Sequence, residues 1–266
     1  MWRTKTADPL GKLLFEKYHM HILARPRENV SVFQIFGVRD GEALQAGSIE
    51  SFLRSSFEKP EVVIGEKVLD IDGTTSDAVS AQTGLSFLQG FLGIFGAVGT
   101  SLTAAVERSN SQALRFQFGG CTRDRVKDDF DLEWAISEVE FPMERSPMKP
   151  DYRYFIASGV HHCTQLTFEA LTKNMAKVDL SAEVAALGAA KAGVSVNHDR
   201  QVVAKSDRTL VYGVELSELV YDEKRKRLRL EGARSFVHTR GDDASTLPRA
   251  SITNADDVMM LRIVDS

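Results

Sequence analysis

Residues 90–99 read Gly90-Phe-Leu-Gly-Ile-Phe-Gly-Ala-Val-Gly99, with a glycine at every third position between large apolar side chains. The surrounding stretch from Ala78 to Val106 contains no charged residue. Its apolar residues recur at spacings of three and four, which predicts a helix with one apolar face. Inside a helix each glycine costs about 1 kcal/mol relative to alanine. The sequence therefore predicts a buried helix of low intrinsic stability.

Two other structures fit the same stretch. Roughly 20 apolar residues cross a bilayer as a helix, although Ser86, Gln89 and Thr100 dilute this run and no second span is visible. A third interpretation is a segment stored as a helix and rebuilt as strands in a membrane, and the pattern alone does not choose among the three. The candidate membrane-inserting side chains are Phe87, Leu88, Phe91, Leu92, Ile94, Phe95, Val98 and Leu102.

The composition of the 266 residues is that of an ordinary globular protein. A formal net charge of -4 gives no general reason to expect a nucleic-acid partner. The two cysteines, Cys121 and Cys163, form no Cys-x-x-Cys pair, which suits a reducing compartment. No apolar run follows the first residues as in a signal peptide. We therefore expect a cytoplasmic protein.

Strand patterns dominate the rest of the chain. From Ala113 to Phe118 apolar and polar residues alternate, as in a half-buried strand. Strands and helices do not alternate regularly, so we predict an α+β fold with a twisted, mostly antiparallel sheet and surrounding helices. The expected strands are 19–23, ended by Pro26, then 30–38, 62–71, 113–118, 152–160 continuing through 165–170, 194–197, 209–216 and 236–237, with a hairpin at 219–230. The expected helices are 10–18, 49–57 and 181–192, and residues 122–151 are expected to form a surface connection with a short helix or strand near Trp134 to Val139.

One motif raises an enzymatic alternative. Asp70-Ile-Asp72-Gly resembles the first motif of haloacid-dehalogenase phosphatases, in which the first aspartate attacks phosphorus and both help to hold Mg²⁺. Asp242 and Asp243 would then be further ligands. That family needs a parallel α/β sheet, which this sequence does not predict, and Asp-x-Asp-Gly is also a common turn. A Mg²⁺-dependent phosphatase therefore remains an alternative, as does an intracellular binding module.

A second motif, His161-His162-Cys163, invites interpretation as a zinc site or a nucleophile. On a strand, neighbouring side chains point to opposite faces, so the three cannot converge on one ion. No nucleophile elbow, P-loop or dinucleotide-binding glycine motif occurs elsewhere. We predict no catalytic residue, no metal site and no cofactor.

One dense basic run lies at the expected hairpin tip. It either faces water or is attracted to anionic lipid, at about 1 kcal/mol per residue near such a surface. The candidate lipid-headgroup residues are Lys224, Arg225, Lys226, Arg227 and Arg229.

The last 16 residues, 251–266, are rich in apolar side chains. A segment this short cannot form its own core, so it should dock on the preceding domain. The apolar residues concerned are Val258, Met259, Met260, Leu261, Ile263 and Val264.

Four parts of the chain together resemble the bacterial gasdermins. They are Asp8–Tyr18 with Ile22–Arg27, the glycine-rich block after Gly73-Thr-Thr-Ser-Asp77, the strand Tyr152–Gly159, and Leu210–Leu230. The likeness spans nearly the whole chain and includes no catalytic signature. The resemblance implies a gasdermin N-terminal-domain-like fold with a short C-terminal inhibitory peptide.

The resemblance also implies a function. Members of that family are autoinhibited pore formers: a protease removes the C-terminal peptide, and the freed domain oligomerises in the inner membrane and kills the cell, commonly during phage infection. This chain would then comprise a pore-forming domain (1–240), a protease-sensitive linker (241–250) and an autoinhibitory peptide (251–266). Two stretches, residues 75–118 and about 160–205, would refold into membrane-spanning hairpins. Before cleavage the protein would be monomeric and cytoplasmic.

Two details stay open in this resemblance. The candidate cleavage residues suit different proteases: Arg240 and Arg249 a trypsin-like one, Asp242 and Asp243 a caspase-like one, and Leu247 another class. Bacterial gasdermins usually carry an acylated cysteine near the start, but the residues after Met1 are Trp2, Arg3, Thr4 and Lys5. Either this member dispenses with the lipid, or the cysteine was replaced or the start of the chain differs, so the sequence leaves the acyl group open.

Overall fold

One mostly antiparallel sheet organises the chain in the computed structural model, which describes residues 14–15, 18–39, 42–53, 57–69, 79–109, 111–141, 148–186, 193–231 and 262–264. The strands are β1 (His21–Arg27), β2 (Gln34–Arg39), β3 (Glu42–Ser48), β4 (Val62–Lys67), β5 (Val79–Ser80), β6 (Ala113–Gly119), β7 (Thr122–Val126), β8 (Arg153–Leu171), β9 (Val194–Val196), β10 (Val202–Asp222), β11 (Arg227–Glu231) and β12 (Arg262–Val264). The helices are α1 (Ile49–Leu53), α2 (Ala81–Leu92), α3 (Ala97–Arg108), α4 (Asp129–Ser137) and α5 (Ser181–Ala186), and a 3₁₀ turn at Gly93–Phe95 separates α2 from α3.

Two long strands, β8 and β10, form the centre of the sheet and pair antiparallel along most of their length. The free side of β8 is taken in turn by β2, β7 and β6. The free side of β10 is taken by β1, β9 and β11. Farther out, β3 pairs with β2, β4 with β7 and β5 with β6. The predicted α+β fold with a mostly antiparallel sheet is confirmed.

Apolar side chains form three buried clusters around this sheet. The first cluster joins α2 and α3 to β6, the second half of β8 and the first half of β10. The second joins α1 and α4 to the opposite ends of β8 and β10 and to β11. Neighbouring Ile35 and Phe36 of β2 belong to the second and third clusters respectively, so the third cluster lies on the other face of the sheet. The two helical layers thus cover different ends of the central pair.

Several sequence predictions are confirmed at the level of elements. In β6, Leu114, Phe116 and Phe118 are buried and alternate with half-buried neighbours. The helix after Ser48 forms as α1, and the hairpin after Asp222 joins β10 to β11. The strand expected at 152–160 and continuing through 165–170 forms as β8. The amino-terminal part of the helix expected at 10–18 and the end of that expected at 181–192 lie outside the described residues, as does the strand expected at 236–237.

Other predictions were wrong. Pro26 does not end the first strand, which continues to Arg27. The register between β1 and β10 shifts between Ile22 and Arg27, and such an irregularity tolerates the missing N–H of proline. Residues 122–126, expected to belong to a surface connection, form β7. Strand β3 was not predicted at all.

Candidate functional site

The glycine-rich stretch folds as two short helices with a sharp break between them. Gly96 has φ +60° and ψ -132°, a combination that residues with a side chain rarely adopt. Gly99 lies so close to the end of α2 that a Cβ added there would sit 1.8 Å from the Leu92 carbonyl oxygen. Glycine at these two positions therefore lets α3 turn back and pack on α2, where the sequence had predicted one helix.

Most of the candidate membrane-inserting side chains are buried in this helical pair. Fully buried are Phe87, Leu88, Phe91, Leu92 and Leu102. Phe95 and Val98 are partly buried, whereas Ile94 is 41% exposed. The Phe87 ring meets the Phe116 ring of β6 edge-on, with 5.2 Å between centroids. Within the described ranges, no helix has both the length and the apolar character needed to span a bilayer.

The second stretch that the resemblance implies to refold shares the same core. It includes the second half of β8, α5, β9 and the beginning of β10. Its buried side chains Leu166, Phe168, Val184 and Val194 belong to the cluster that α2 and α3 cover. Because the two stretches pack on each other, neither can leave the sheet without exposing apolar surface of the other.

The chain end contributes an edge strand. The three residues of β12 pair in parallel with β3, with Arg262 opposite Glu42 and Val264 opposite Leu44. β12 also lies beside β1, the strand at the other end of the main sheet order. Of the candidate autoinhibitory residues, Ile263 and Val264 lie in β12. Val258, Met259, Met260 and Leu261 lie outside the described residues, as do the candidate cleavage residues Arg240, Asp242, Asp243, Leu247 and Arg249.

The basic run lies at the tip of the β10–β11 hairpin. The Asp222 carboxylate accepts hydrogen bonds from the backbone N–H groups of Lys224 and Arg225, at 3.0 and 3.1 Å. Exposed at the tip, Lys224, Arg225 and Lys226 form no ion pair with any described residue. Three cations thus face solvent together at the tip of the hairpin.

The other two basic residues of the run make contacts within the hairpin region. Arg227 donates a hydrogen bond at 3.0 Å to the carbonyl oxygen of Ser137, the last residue of α4, and its guanidinium lies 3.6 Å from the Glu138 carboxylate. The Arg229 guanidinium lies 3.7 Å from the Glu231 carboxylate. Arg227 therefore positions the hairpin against α4.

A polar cluster crosses the middle of the sheet. His161 Nε2 lies 2.7 Å from Glu215 Oε1, and Arg123 donates to the same oxygen at 3.0 Å. Arg123 and Arg125 both bind Glu66 of β4, at 3.1 and 2.8 Å. Burial raises the pKa of Glu215, but the His161 hydrogen bond and the charges of His161 and Arg123 outweigh it and hold the pKa below its ordinary value.

Next to it, the two histidines of the His-His-Cys motif bind different partners. His162 Nε2 lies 3.1 Å from Asp124, whereas His161 binds Glu215. Such divergence follows from their neighbouring positions on β8. In the part of the chain that the structure describes, no three His, Cys, Asp or Glu side chains are grouped so as to hold a metal ion.

The phosphatase alternative lacks its structural setting. Among the described strands only β12 and β3 pair in parallel, whereas the haloacid-dehalogenase motif requires a parallel α/β sheet. Asp70, Asp72, Asp242 and Asp243 themselves lie outside the described residues.

Comparison with known proteins places this arrangement in a family. Residues 23–227, from within β1 to the first residue of β11, match the family model described as the Bacterial Gasdermin Family. The chain belongs to the bacterial gasdermin family. The family supports a pore-forming role in cell death, and it is generally non-enzymatic.

Two relatives extend this identification of the chain as a gasdermin. The chain is 23% identical over 209 residues to Gasdermin bGSDM of Vitiosangium sp. (strain GDMCC 1.1324). The alignment covers 75% of this chain and 76% of that protein. The structure of a bacterial gasdermin from Bradyrhizobium tropiciagri matches with a TM-score of 0.63 and 17% identity, covering 84% of this chain and 90% of that one. The second likeness shows that the two chains share a fold.

Sequence reasoning missed the charged clusters of this gasdermin. The sequence offered His161 only as part of a zinc-site or nucleophile motif, and Glu215 only as part of an ordinary strand. Glu169 was likewise passed over, although it interrupts the otherwise uncharged run Gln165–Leu171. A single carboxylate within an otherwise uncharged strand could have indicated the charged cluster around Glu169, because a buried charge requires partners.

Proposed function

We propose that this gasdermin is stored in an inactive form and becomes a membrane pore when a protease removes its C-terminal peptide. The observation that carries the proposal is the pairing of β12 with the edge of β3. A cut within 240–250 would separate residues 251–266, and β12 with them, from the rest of the chain. Release of the peptide would leave the backbone N–H and C=O groups of the β3 edge without their present partner.

The peptide holds the stored form by mass action. A segment that binds only the inactive fold stabilises that fold by RT ln(1 + c/Kd), where c is the effective concentration of the segment and Kd its dissociation constant. While the chain is intact, the effective concentration of a tethered segment is on the order of millimolar. After cleavage the peptide is diluted to the concentration of the protein, so a weakly bound peptide leaves.

The membrane form is built from the two stretches that share the first core. Residues 75–118 and about 160–205 convert to antiparallel hairpins, and neighbouring copies close a ring in which every backbone group is paired. The glycines of residues 90–99 lower the intrinsic stability of α2 and α3, which reduces the free energy needed to unfold these helices. Lys224, Arg225 and Lys226 contact anionic headgroups while the hairpins insert.

Family membership supports the biological setting. We propose that the stored protein is cytoplasmic, that its partners are an activating protease, anionic lipid and further copies of itself, and that the pore forms in the bacterial inner membrane. The result is death of an infected cell as a defence against phage. The proposal assigns no catalytic residue and no cofactor.

Dye release from liposomes that contain anionic lipid tests this function. A specific protease site is introduced between Gly241 and Pro248, and a scrambled site of equal composition is the control. Leakage is expected only after the functional site is cut, and a chain ending at Ala250 should leak without protease. Complete cutting and peptide release without leakage would refute the proposal. Asp70→Asn should leave leakage unchanged, whereas the phosphatase alternative requires Asp70 for a turnover in the uncut protein.

A further inference from the structure

Glu169 of β8 is a buried carboxylate with three partners. Its side chain is 6% exposed. Lys177 Nζ lies 2.7 Å from Oε1, Gln201 Nε2 donates to the same oxygen at 2.6 Å, and Arg115 Nη1 donates to Oε2 at 3.2 Å. Both carboxylate oxygens are therefore occupied. We refer to Glu169, Arg115, Lys177 and Gln201 as the Glu169 cluster.

The partners of Glu169 come from three separate segments. Arg115 lies on β6, directly opposite Glu169 in the register of β6 and β8. Lys177 lies in the connection that follows β8, where it bridges to Leu171. Gln201 immediately precedes β10. One carboxylate thus joins β6, the chain after β8 and the approach to β10.

Gln201 is itself held in place by the turn before β10. The Asn197 side chain donates to Gln201 Oε1 at 2.7 Å and accepts from the Gln201 backbone N–H at 3.0 Å. The Gln201 amide group is therefore oriented with its NH₂ toward Glu169. Breaking the cluster requires movement of an ordered turn and not only of a flexible side chain.

This arrangement spans both stretches that the proposed function sends into the membrane. Arg115 belongs to the first stretch, 75–118, and the other three members belong to the second, 160–205. The stretches cannot separate while the cluster is intact. Removing one partner from a buried charge leaves that charge uncompensated, so the contacts are costly to lose one at a time.

We propose that the Glu169 cluster sets the rate at which the cut protein converts to its membrane form. This inference rests on the proposed function, since it concerns the step after peptide removal. Glu169 is a positioning residue that holds the two stretches together in the stored fold. Weakening its contacts speeds conversion without changing the requirement for cleavage.

The chain offers a control contact near the other end of β8. Arg153 of β8 donates to both oxygens of Glu218 of β10, at 2.8 and 2.6 Å. The Glu218 side chain is 22% exposed, and both residues lie outside the two stretches. Glu218→Gln therefore weakens a contact between β8 and β10 without touching the segments that convert.

The experiment compares dye-release rates of fully cut wild type, Glu169→Gln and Glu218→Gln on the same anionic liposomes. We expect about tenfold faster release for Glu169→Gln, equal to about 1.4 kcal/mol of activation free energy, and an unchanged rate for Glu218→Gln. All three uncut proteins should retain dye. The thermal unfolding of the uncut proteins is measured in parallel, because a merely structural role would lower stability in both variants without separating their rates.

A second pair of variants keeps the test decisive if Glu169→Gln does not fold. Lys177→Ala removes one partner and leaves Arg115 and Gln201 in place, so release should still be faster. Lys127→Ala, which removes the exposed contact with Glu61, should not change it. Equal rates for each variant and its control would overturn the inference. Failure of the cut wild type to release dye would instead refute the proposed function.

Discussion

At the scale of single residues, Glu215 is the carboxylate on which the polar cluster of the central sheet depends. His161 and Arg123 bind the same oxygen, and the His161 side chain is only 2% exposed. Gly159, opposite Glu215 on β8, makes room for it, because a Cβ added at Gly159 would lie 2.8 Å from the Glu215 carboxyl carbon. The glycine at position 159 is therefore explained by the space that the Glu215 side chain occupies and not by a turn.

The depressed pKa of Glu215 predicts how stability changes with pH. A carboxyl group whose pKa is lower in the folded than in the unfolded protein stabilises the folded state. For Glu215 this stabilisation is fully present at pH values above 4.5, the ordinary pKa of the group. That stabilisation is lost as the pH falls through the lower, folded pKa. We expect Glu215→Gln to reduce the free energy of unfolding at pH 7 by about 1–3 kcal/mol, and this difference to shrink below pH 4.5.

Urea unfolding of wild type and Glu215→Gln at a series of pH values measures this effect. Glu61→Gln is the control, since the Glu61–Lys127 pair is largely exposed and such pairs contribute little. A loss for Glu215→Gln that stays constant from pH 7 to pH 3 would show that its charge is not the cause.

At the level of elements, the α2–α3 pair shows what the periodicity of apolar residues predicts and what it does not. A buried helix was one of three structures that the spacing of apolar residues left open, and it is the one observed, with most of the predicted apolar face buried. The spacing could not locate the break, because the four glycines are equivalent in the sequence. Only the tertiary contact distinguishes Gly99, which faces the Leu92 carbonyl group, from Gly93, which has open space around its Cα.

This difference between two glycines gives a prediction. Gly99→Ala should destabilise the intact protein by about 1–3 kcal/mol, because α3 must move away from α2. Gly93→Ala should be neutral or stabilise the protein by about 0.4–1 kcal/mol, because alanine restricts the unfolded chain and meets no clash in the 3₁₀ turn. Thermal or urea unfolding measures both. Equal effects of the two substitutions would contradict the packing of α3 on α2.

At the scale of the whole molecule, the sequence predicted the fold class and the antiparallel sheet but not all of its strands. β7 was missed because its charged residues Arg123, Asp124 and Arg125 looked like a surface connection. Their partners Glu66 and His162 are distant in sequence and meet them only in the folded sheet. Cross-strand charge pairing of this kind cannot be derived from local periodicity.

The position of the chain end yields the last prediction. If residues 251–266 hold the stored form only through non-covalent contacts, the same peptide added separately should inhibit the cut protein. Because tethering supplies an effective concentration on the order of millimolar, free peptide at concentrations up to that range should reproduce the inhibition, with a midpoint set by its dissociation constant. Liposome dye release after cleavage, with increasing peptide, measures the inhibition, and a scrambled peptide is the control. Identical release with either peptide would mean that β12 does not restrain conversion by binding the β3 edge, and that cutting acts by another route.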